Sequence, residues 1–482
     1  MVKKSRVFWI IFLVLAVFLL SVCSKKKSTE PEPTTDKWTI LGYFDGNNDK
    51  DVEADGFSYV IRDVQDMEQV GSTEEVQIIV MLGSSKTEGN CNYYFIETYL
   101  DTTADSISSE VLDSLGKKDM SDSLTLRDFI KYGVGHYPAD HYMLIINDRG
   151  AGWKGICSDH QNGDGEMMTL PELSSALFGY HFEIILFNAP YMSTVEVTHQ
   201  LKDQANYLVA LESNLLKKNI LSASEWLQTL VNDPRISSAD LACEIAEAIH
   251  TTAGLDNTIC AIDLSRVEAL TSKIADFGSL LVSHIGDNLK EVLDARKASP
   301  YLPIYYFDLK KFCQNIQDTS THLDSTIKTA AQAVENANDL AVVKMLSDKP
   351  ELGYGGLCIH FPYDSVTFDY TDYVQLDFAV SNWHIFLSEF VKAYMEANTG
   401  SIQVISDPTS AWIFLDGDST GLMTNTTIHG ILAGWHTVKV VKEGYKEAED
   451  QALVIAGQTV TSSFKLFPLS PPRESISDIS ER

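Results

Sequence analysis

At 482 residues the chain exceeds one ordinary domain and has room for two or three. Hydrophobic residues make up 44% of it and aromatic residues 10%, enough for a packed core, which excludes wholesale disorder. A net charge of −30, spread along the chain, excludes nucleic acid as a partner, because displacing counterions from phosphates takes clustered lysine and arginine.

The N-terminus carries an address. Lys3, Lys4 and Arg6 precede an uninterrupted apolar run over 7–20, and Ser21-Val22-Cys23 follows. The run is shorter than the ~20 residues of a spanning helix and has the layout of an export signal. Leu20-Ser21-Val22-Cys23 resembles a lipobox, with Val22 where a smaller residue is usual. The expectation is cleavage before Cys23 and a lipid on its sulfur. The alternative is an uncleaved N-terminal anchor stopped by Lys25, Lys26 and Lys27. Both place the bulk of the chain outside the cytoplasmic membrane, as an exported protein held at the cell envelope. Residues 24–36 are polar, contain Pro31 and Pro33, and read as a tether.

From Trp38 onward strands alternate with helices. Short, nearly continuous apolar runs over 38–44, 76–82, 142–146 and 182–187 suit parallel strands buried on both faces. Amphipathic stretches over 57–67, 126–132 and 238–250 lie between and after them. A further helix is expected from Ser265, with Ser265 and Glu268 as a capping box. Such alternation predicts an α/β sheet with flanking helices over 37–398. The composition then turns β-rich over 399–467, with strands at 402–405, 411–415, 436–440 and 460–464. Turns are expected at Asp416-Gly417, Ala433-Gly434 and Glu443-Gly444. Residues 468–482 read as a disordered tail.

Apart from Cys23, six cysteines remain: Cys91, Cys157, Cys243, Cys260, Cys313 and Cys358. An even number in an exported protein permits disulfides, while their apolar surroundings equally suit small buried hydrophobes. No zinc motif, phosphate-cradling glycine loop or Ser-His-Asp order is visible, so no cofactor or metal is expected. Asp159-His160-Gln161-Asn162-Gly163-Asp164-Gly165-Glu166 is rich in oxygen donors but lacks EF-hand spacing, with Pro171 where the last glutamate belongs. Asp45, Asn47, Asp49 and Asp51 form a similar set. Both read as solvated acidic turns.

Open α/β sheets place their sites at the carboxyl ends of strands. Two such ends stand out: Asn147-Asp148-Arg149-Gly150-Ala151-Gly152-Trp153, and Phe187-Asn188-Ala189-Pro190-Tyr191-Met192-Ser193. These segments resemble those of the clostripain family of cysteine peptidases, whose fold is related to that of caspases and gingipains. The family has Trp-Asp-His-Gly-Ser-Gly-Trp around its catalytic histidine and Phe-Asp-Ala-Cys-Leu-Met-Ser around its cysteine. Colinear likenesses extend from Lys37-Trp38-Thr39-Ile40-Leu41, through Tyr137-Pro138-Ala139-Asp140-His141-Tyr142, to Gly356-Leu357-Cys358-Ile359-His360-Phe361-Pro362.

The decisive positions depart from that pattern. Arg149 stands at the histidine position, and a guanidinium has no lone pair with which to take a thiol proton. Pro190 stands at the cysteine position and offers no nucleophile. Asn188 replaces the preceding aspartate and Asn147 the tryptophan, while Leu211-Glu212 replaces a Ser-Glu or Ser-Gln pair. The resemblance therefore implies the caspase-haemoglobinase-like fold without its dyad, and a binding or scaffold role. Asp148, Arg149 and Asn188 are the candidate binding residues. The alternative is a hydrolase with relocated catalytic groups, drawn from Cys157, His160 or Ser193. Residues 401–466 resemble a PEGA domain, a β-rich module of bacterial surface proteins, through Pro408-Thr409-Ser410-Ala411, Phe414-Leu415-Asp416-Gly417, Gly434-Trp435-His436-Thr437-Val438 and Gly444-Tyr445. A protein, peptide or cell-wall ligand would be the partner, with the membrane engaged through Cys23 or the N-terminal segment.

Overall fold

A computed structural model describes residues 36–469 apart from 49–50, 52–55, 57, 101–105, 214–220, 254–257, 319–322 and 364–369. The export signal, Cys23, nearly all of the tether and the tail from 470 lie outside the described residues.

Nine strands form the central sheet: β1 (Trp38–Gly46), β2 (Val76–Ser84), β3 (Asn90–Phe95), β4 (Glu110–Lys117), β5 (His141–Asn147), β6 (Phe182–Asn188), β7 (Ala205–Leu211), β8 (Thr258–Asp263) and β9 (Val342–Ser347). Their order is β9-β8-β7-β6-β5-β1-β2-β3-β4. The five inner strands from β7 to β2 are mutually parallel, and β3, β4, β8 and β9 join antiparallel at the two sides. All nine residues of β1 are buried, because helices cover both faces and neither side of an inner parallel strand meets water.

Side-chain alternation sorts this core into two halves. Ile40 and Phe44 point to one side, where Tyr59–Glu68, Ala223–Asn232 and Ser238–Ala253 pack. Leu41 and Tyr43 point to the other, toward Ser123–His136, Val195–Leu201, Val267–Lys297, Ser325–Ala341 and Trp383–Asn398. A buried leucine or isoleucine on either side contributes ~2 kcal/mol by area, so the sheet is held as a rigid frame.

The expected capping box at Ser265 and Glu268 does not form. Asp263 accepts from the Ser265 N–H and starts a short 3₁₀ turn (Leu264–Arg266), and the helix Val267–Lys297 follows with no side-chain cap. An acid two residues upstream captured the serine first. At the C-terminal end, Trp383–Asn398 runs directly into strand β10 (Thr399–Asp407). This opens a module with β11 (Trp412–Leu415), β12 (Asp418–Met423), β13 (Thr426–Leu432), β14 (Gly434–Val441), β15 (Ala448–Val454) and β16 (Thr459–Lys465). Sheets β13-β10-β16 and β12-β11-β14-β15 enclose a small core of Ile402, Val404, Ile413, Val438, Val440 and Phe464. Leu415 pairs with Asp418 across the two-residue turn Asp416-Gly417, both of whose residues have positive φ, the conformation a tight hairpin needs.

Candidate functional site

Parallel pairing aligns the carboxyl ends of β1, β5 and β6: Phe44 lies beside Asn147, and Asn147 beside Asn188. The chain leaves β1 toward β2 and returns on the opposite side at β5, so the β1/β5 edge is the switch point of the sheet, where open sheets hold ligands.

Two buried acids organise these ends. Asp63, on the helix Tyr59–Glu68, accepts through Oδ2 from Asn147 Nδ2 at 2.6 Å and Asn188 Nδ2 at 3.2 Å, and through Oδ1 from the Leu221 N–H at 3.4 Å. Burial pushes its pKa up to about 7, against the pull of those donors. Asp148 accepts from Asn48 Nδ2 at 2.7 Å and the Ser158 N–H at 2.6 Å. Its pKa is likewise pushed up to about 7, first by burial, and the Arg149 guanidinium is among the influences holding it down.

Asp45 lies next to Asp148. Its Oδ1 accepts from the Asn47 N–H at 3.0 Å, Oδ2 is buried with no donor among the described residues, and its carboxyl shares a hydrogen bond with that of Asp148. Desolvation and then the negative charges of Asp148 and Asp159 push its carboxyl well above the carboxylate range. One carboxylate oxygen from each of Asp45 and Asp148 and the Cys157 sulfur lie within 4.8 Å of one another, all buried, so these three could hold a metal ion.

The sequence-based candidates fall into place as follows. Asp148 and Asn188 are buried, and their polar groups turn inward to Asn48, Ser158 and Asp63. Arg149 and Pro190 are half-buried at the neighbouring strand ends. A Cβ on Gly150 would stand 2.4 Å from the Pro190 carbonyl oxygen, and one on Gly152, at positive φ, 2.1 Å from Tyr306 Oη. Glycine is required there because neighbours occupy the space a side chain would take.

Cys157 is fully buried, and desolvation followed by Asp148, Asp45 and Asp159 raises its thiol well above the usual range. A nucleophilic cysteine needs the opposite setting. His160 is exposed and bonds Ser158 Oγ at 2.9 Å. Ser193 is buried and donates to the Gly356 carbonyl at 2.6 Å.

The reading of the two acidic stretches as solvated turns is overturned for the described residues of the first and for Asp159 of the second, while His160, Gln161, Asp164 and Glu166 are exposed as expected. Asp45, Asn47, Asp51 and Asp159 are all buried, and Asp49 lies outside the described residues. Asp159 accepts from the Gln161, Asn162 and Met120 N–H groups and from Asn47 Nδ2. Asp51 accepts from the hydroxyls of Ser58, Ser84 and Ser85. Each acid pins loops together through donors that adjacent sequence does not reveal.

Sequence reasoning also passed over Asp63, which carries no motif, and a second acid cluster beyond β7. There Cys358 Sγ donates to Glu212 Oε1 at 3.0 Å, and Asp308 accepts from the Lys311 N–H at 2.6 Å. Burial and the adjacent Asp308 raise Glu212 well above the carboxylate range. All six described cysteines are free, five of them buried, which fits small hydrophobes rather than a disulfide framework.

Comparison with known proteins gives the following. Residues 43–400 match the model of the Clostripain family, and residues 399–469 match the PEGA domain. Clostripain of Hathewaya histolytica is 21% identical, over 68% of this chain and 74% of its own. A secreted C11 cysteine protease of Bacteroides thetaiotaomicron, solved with an irreversible peptide inhibitor, is 20% identical with a TM-score of 0.53 and covers 73% of this chain and 99% of its own. An inactive zymogen C11 protease of Parabacteroides distasonis is 18% identical with a TM-score of 0.52 and covers 71% and 97%. At these identities the solved structures establish the shared fold.

Proposed function

We propose that this chain, which belongs to the clostripain family, is an exported protein held at the cell envelope that uses a peptidase fold for binding and does not hydrolyse peptides. The carrying observation is the pair Arg149 and Pro190 at the ends of adjacent strands β5 and β6, where the family resemblance puts histidine and cysteine. Neither can perform its part. Guanidinium stays protonated and cannot act as a base, and a proline ring carries no nucleophile. The nearby substitutes are otherwise engaged: burial first, and then the neighbouring acids, raise the Cys157 thiol well above its usual range, and Ser193 is bonded to a carbonyl. Location rests on the basic, apolar and Ser21-Val22-Cys23 order of the N-terminus. No helix among the described residues is long and apolar enough to cross a membrane.

The test is cleavage of Arg- and Lys-directed peptides by the full chain beside its Cys157→Ala variant, with a thiol-reactive peptidyl probe as a second readout. Turnover and labelling should match the background of the variant. Specific turnover that vanishes in Cys157→Ala would replace this reading with that of a hydrolase whose nucleophile has moved.

A further inference from the structure

We propose that Asp45, Asp148 and Cys157 form a site for one divalent transition ion of the Zn²⁺ class, at the switch point between β1 and β5. Three separate segments deliver the donors: the end of β1, the end of β5 and the Ile156–Ser158 strand. Their two carboxylate oxygens and one sulfur lie within 4.8 Å of one another. Tetrahedral ligands of an ion bonded at ~2.0–2.3 Å fall inside that span.

The donor set selects the ion. Ca²⁺ and Mg²⁺ take six or more oxygens and avoid sulfur, whereas one thiolate with oxygen donors suits a borderline ion such as Zn²⁺. One acceptor oxygen points to a positive group: Asp45 Oδ2 is buried with no donor among the described residues. The carboxyl groups of Asp45 and Asp148 share a hydrogen bond, and an ion would take the place of that shared proton. The remaining lone pairs are oriented as outer-shell contacts orient metal ligands: Asn48 Nδ2 and the Ser158 N–H hold Asp148, and the Asn47 N–H holds Asp45. Charge also balances. Two carboxylates and a thiolate are offset by a divalent ion and the Arg149 guanidinium, whose charge acts on Asp148. On binding, the Cys157 thiol proton and any carboxyl proton pass to solvent, so uptake releases protons.

Elemental analysis of the full chain, purified without chelator, should find close to one transition ion per molecule. Chelation should lower its thermal midpoint, since an ion bound only by the folded state stabilises it. Reloading with Co²⁺ should give thiolate-to-cobalt charge-transfer absorption. Cys157→Ser should abolish that band, and Asp45→Asn should weaken Co²⁺ binding more than ~100-fold. Cys313→Ser, which places a hydroxyl at an equally buried cysteine, should keep the band and controls for folding damage. A folded parent that takes up neither Zn²⁺ nor Co²⁺ would overturn the proposal, as would a cobalt band that survives in Cys157→Ser.

Discussion

Asp63→Asn is the substitution that isolates the electrostatics of the strand ends. Asp63 is a buried carboxyl whose pKa rises from 3.8 to about 7 in the fold. In the unfolded chain it loses its proton near pH 4, and in the folded chain it keeps that proton until pH approaches 7. The stabilisation is therefore complete below the unfolded value and is lost as pH rises through the folded one. At ~1.36 kcal/mol per pKa unit the interval is worth ~4 kcal/mol. An asparagine at 63 can still accept from Asn147 and Asn188 through its carbonyl oxygen, yet it has nothing to titrate. The stability of the variant relative to the parent should thus rise with pH, by up to ~4 kcal/mol between about pH 4 and 8. Denaturant unfolding followed by tryptophan fluorescence reads this well. Trp38, Trp153, Trp226 and Trp383 are buried in the large domain, whereas Trp412 and Trp435 of the C-terminal module are exposed. Parent and variant profiles that stay parallel within ~0.5 kcal/mol across that range would refute the argument that Asp63 is buried at a cost.

Two further predictions concern the surface and the anchor. Arg149 is half-buried on the strand end adjacent to that of Pro190, and Arg149→Ala should weaken binding of carboxylate-bearing peptides by ~1.5–3 kcal/mol, as for a charge-assisted hydrogen bond. Equilibrium titration with unchanged affinity, alongside a lowered thermal midpoint, would assign the guanidinium to the fold instead. Cys23→Ser should abolish incorporation of labelled fatty acid and leave the export signal uncleaved, and equal labelling of variant and parent would end the lipoprotein reading.

How much of this was legible depended on what kind of surface a segment faces. The runs in β1, β2, β5 and β6 are nearly continuous in apolar residues because helices cover both of their faces, so their composition announces them. β4 (Glu110–Lys117) is mostly exposed and β9 (Val342–Ser347) half-exposed, and strands open to water on one side carry polar residues that blur any apolar run. At Arg149 and Pro190 the sequence supplies the argument by itself, because identity alone decides whether a group can act as base or nucleophile, and the peptide-cleavage assay is what tests it. The buried acids were not readable. Whether Asp159 is solvated or sealed depends on the Met120 N–H and on Asn47, 39 and 112 residues away, and no local pattern encodes that.

Asn188 and Asp63 work as a pair. Where the sequence resemblance puts an aspartate, this chain carries an amide at 188, and that amide donates to Asp63 Oδ2 at 3.2 Å. An aspartate at 188 would set two carboxyl groups in contact in a water-excluded pocket, and one of them would have to stay protonated. Asparagine removes that conflict and supplies a donor in its place. Asn147 does the same from β5 at 2.6 Å. A single carboxyl then ties the ends of both strands to the helix Tyr59–Glu68, and the amide that forms the tie occupies the position at which a second acid would have repelled it. The two amides and Asp63 thereby close the frame at these strand ends, and Arg149, half-buried at the same edge, is the charged group whose capture of a carboxylate the Arg149→Ala titration tests.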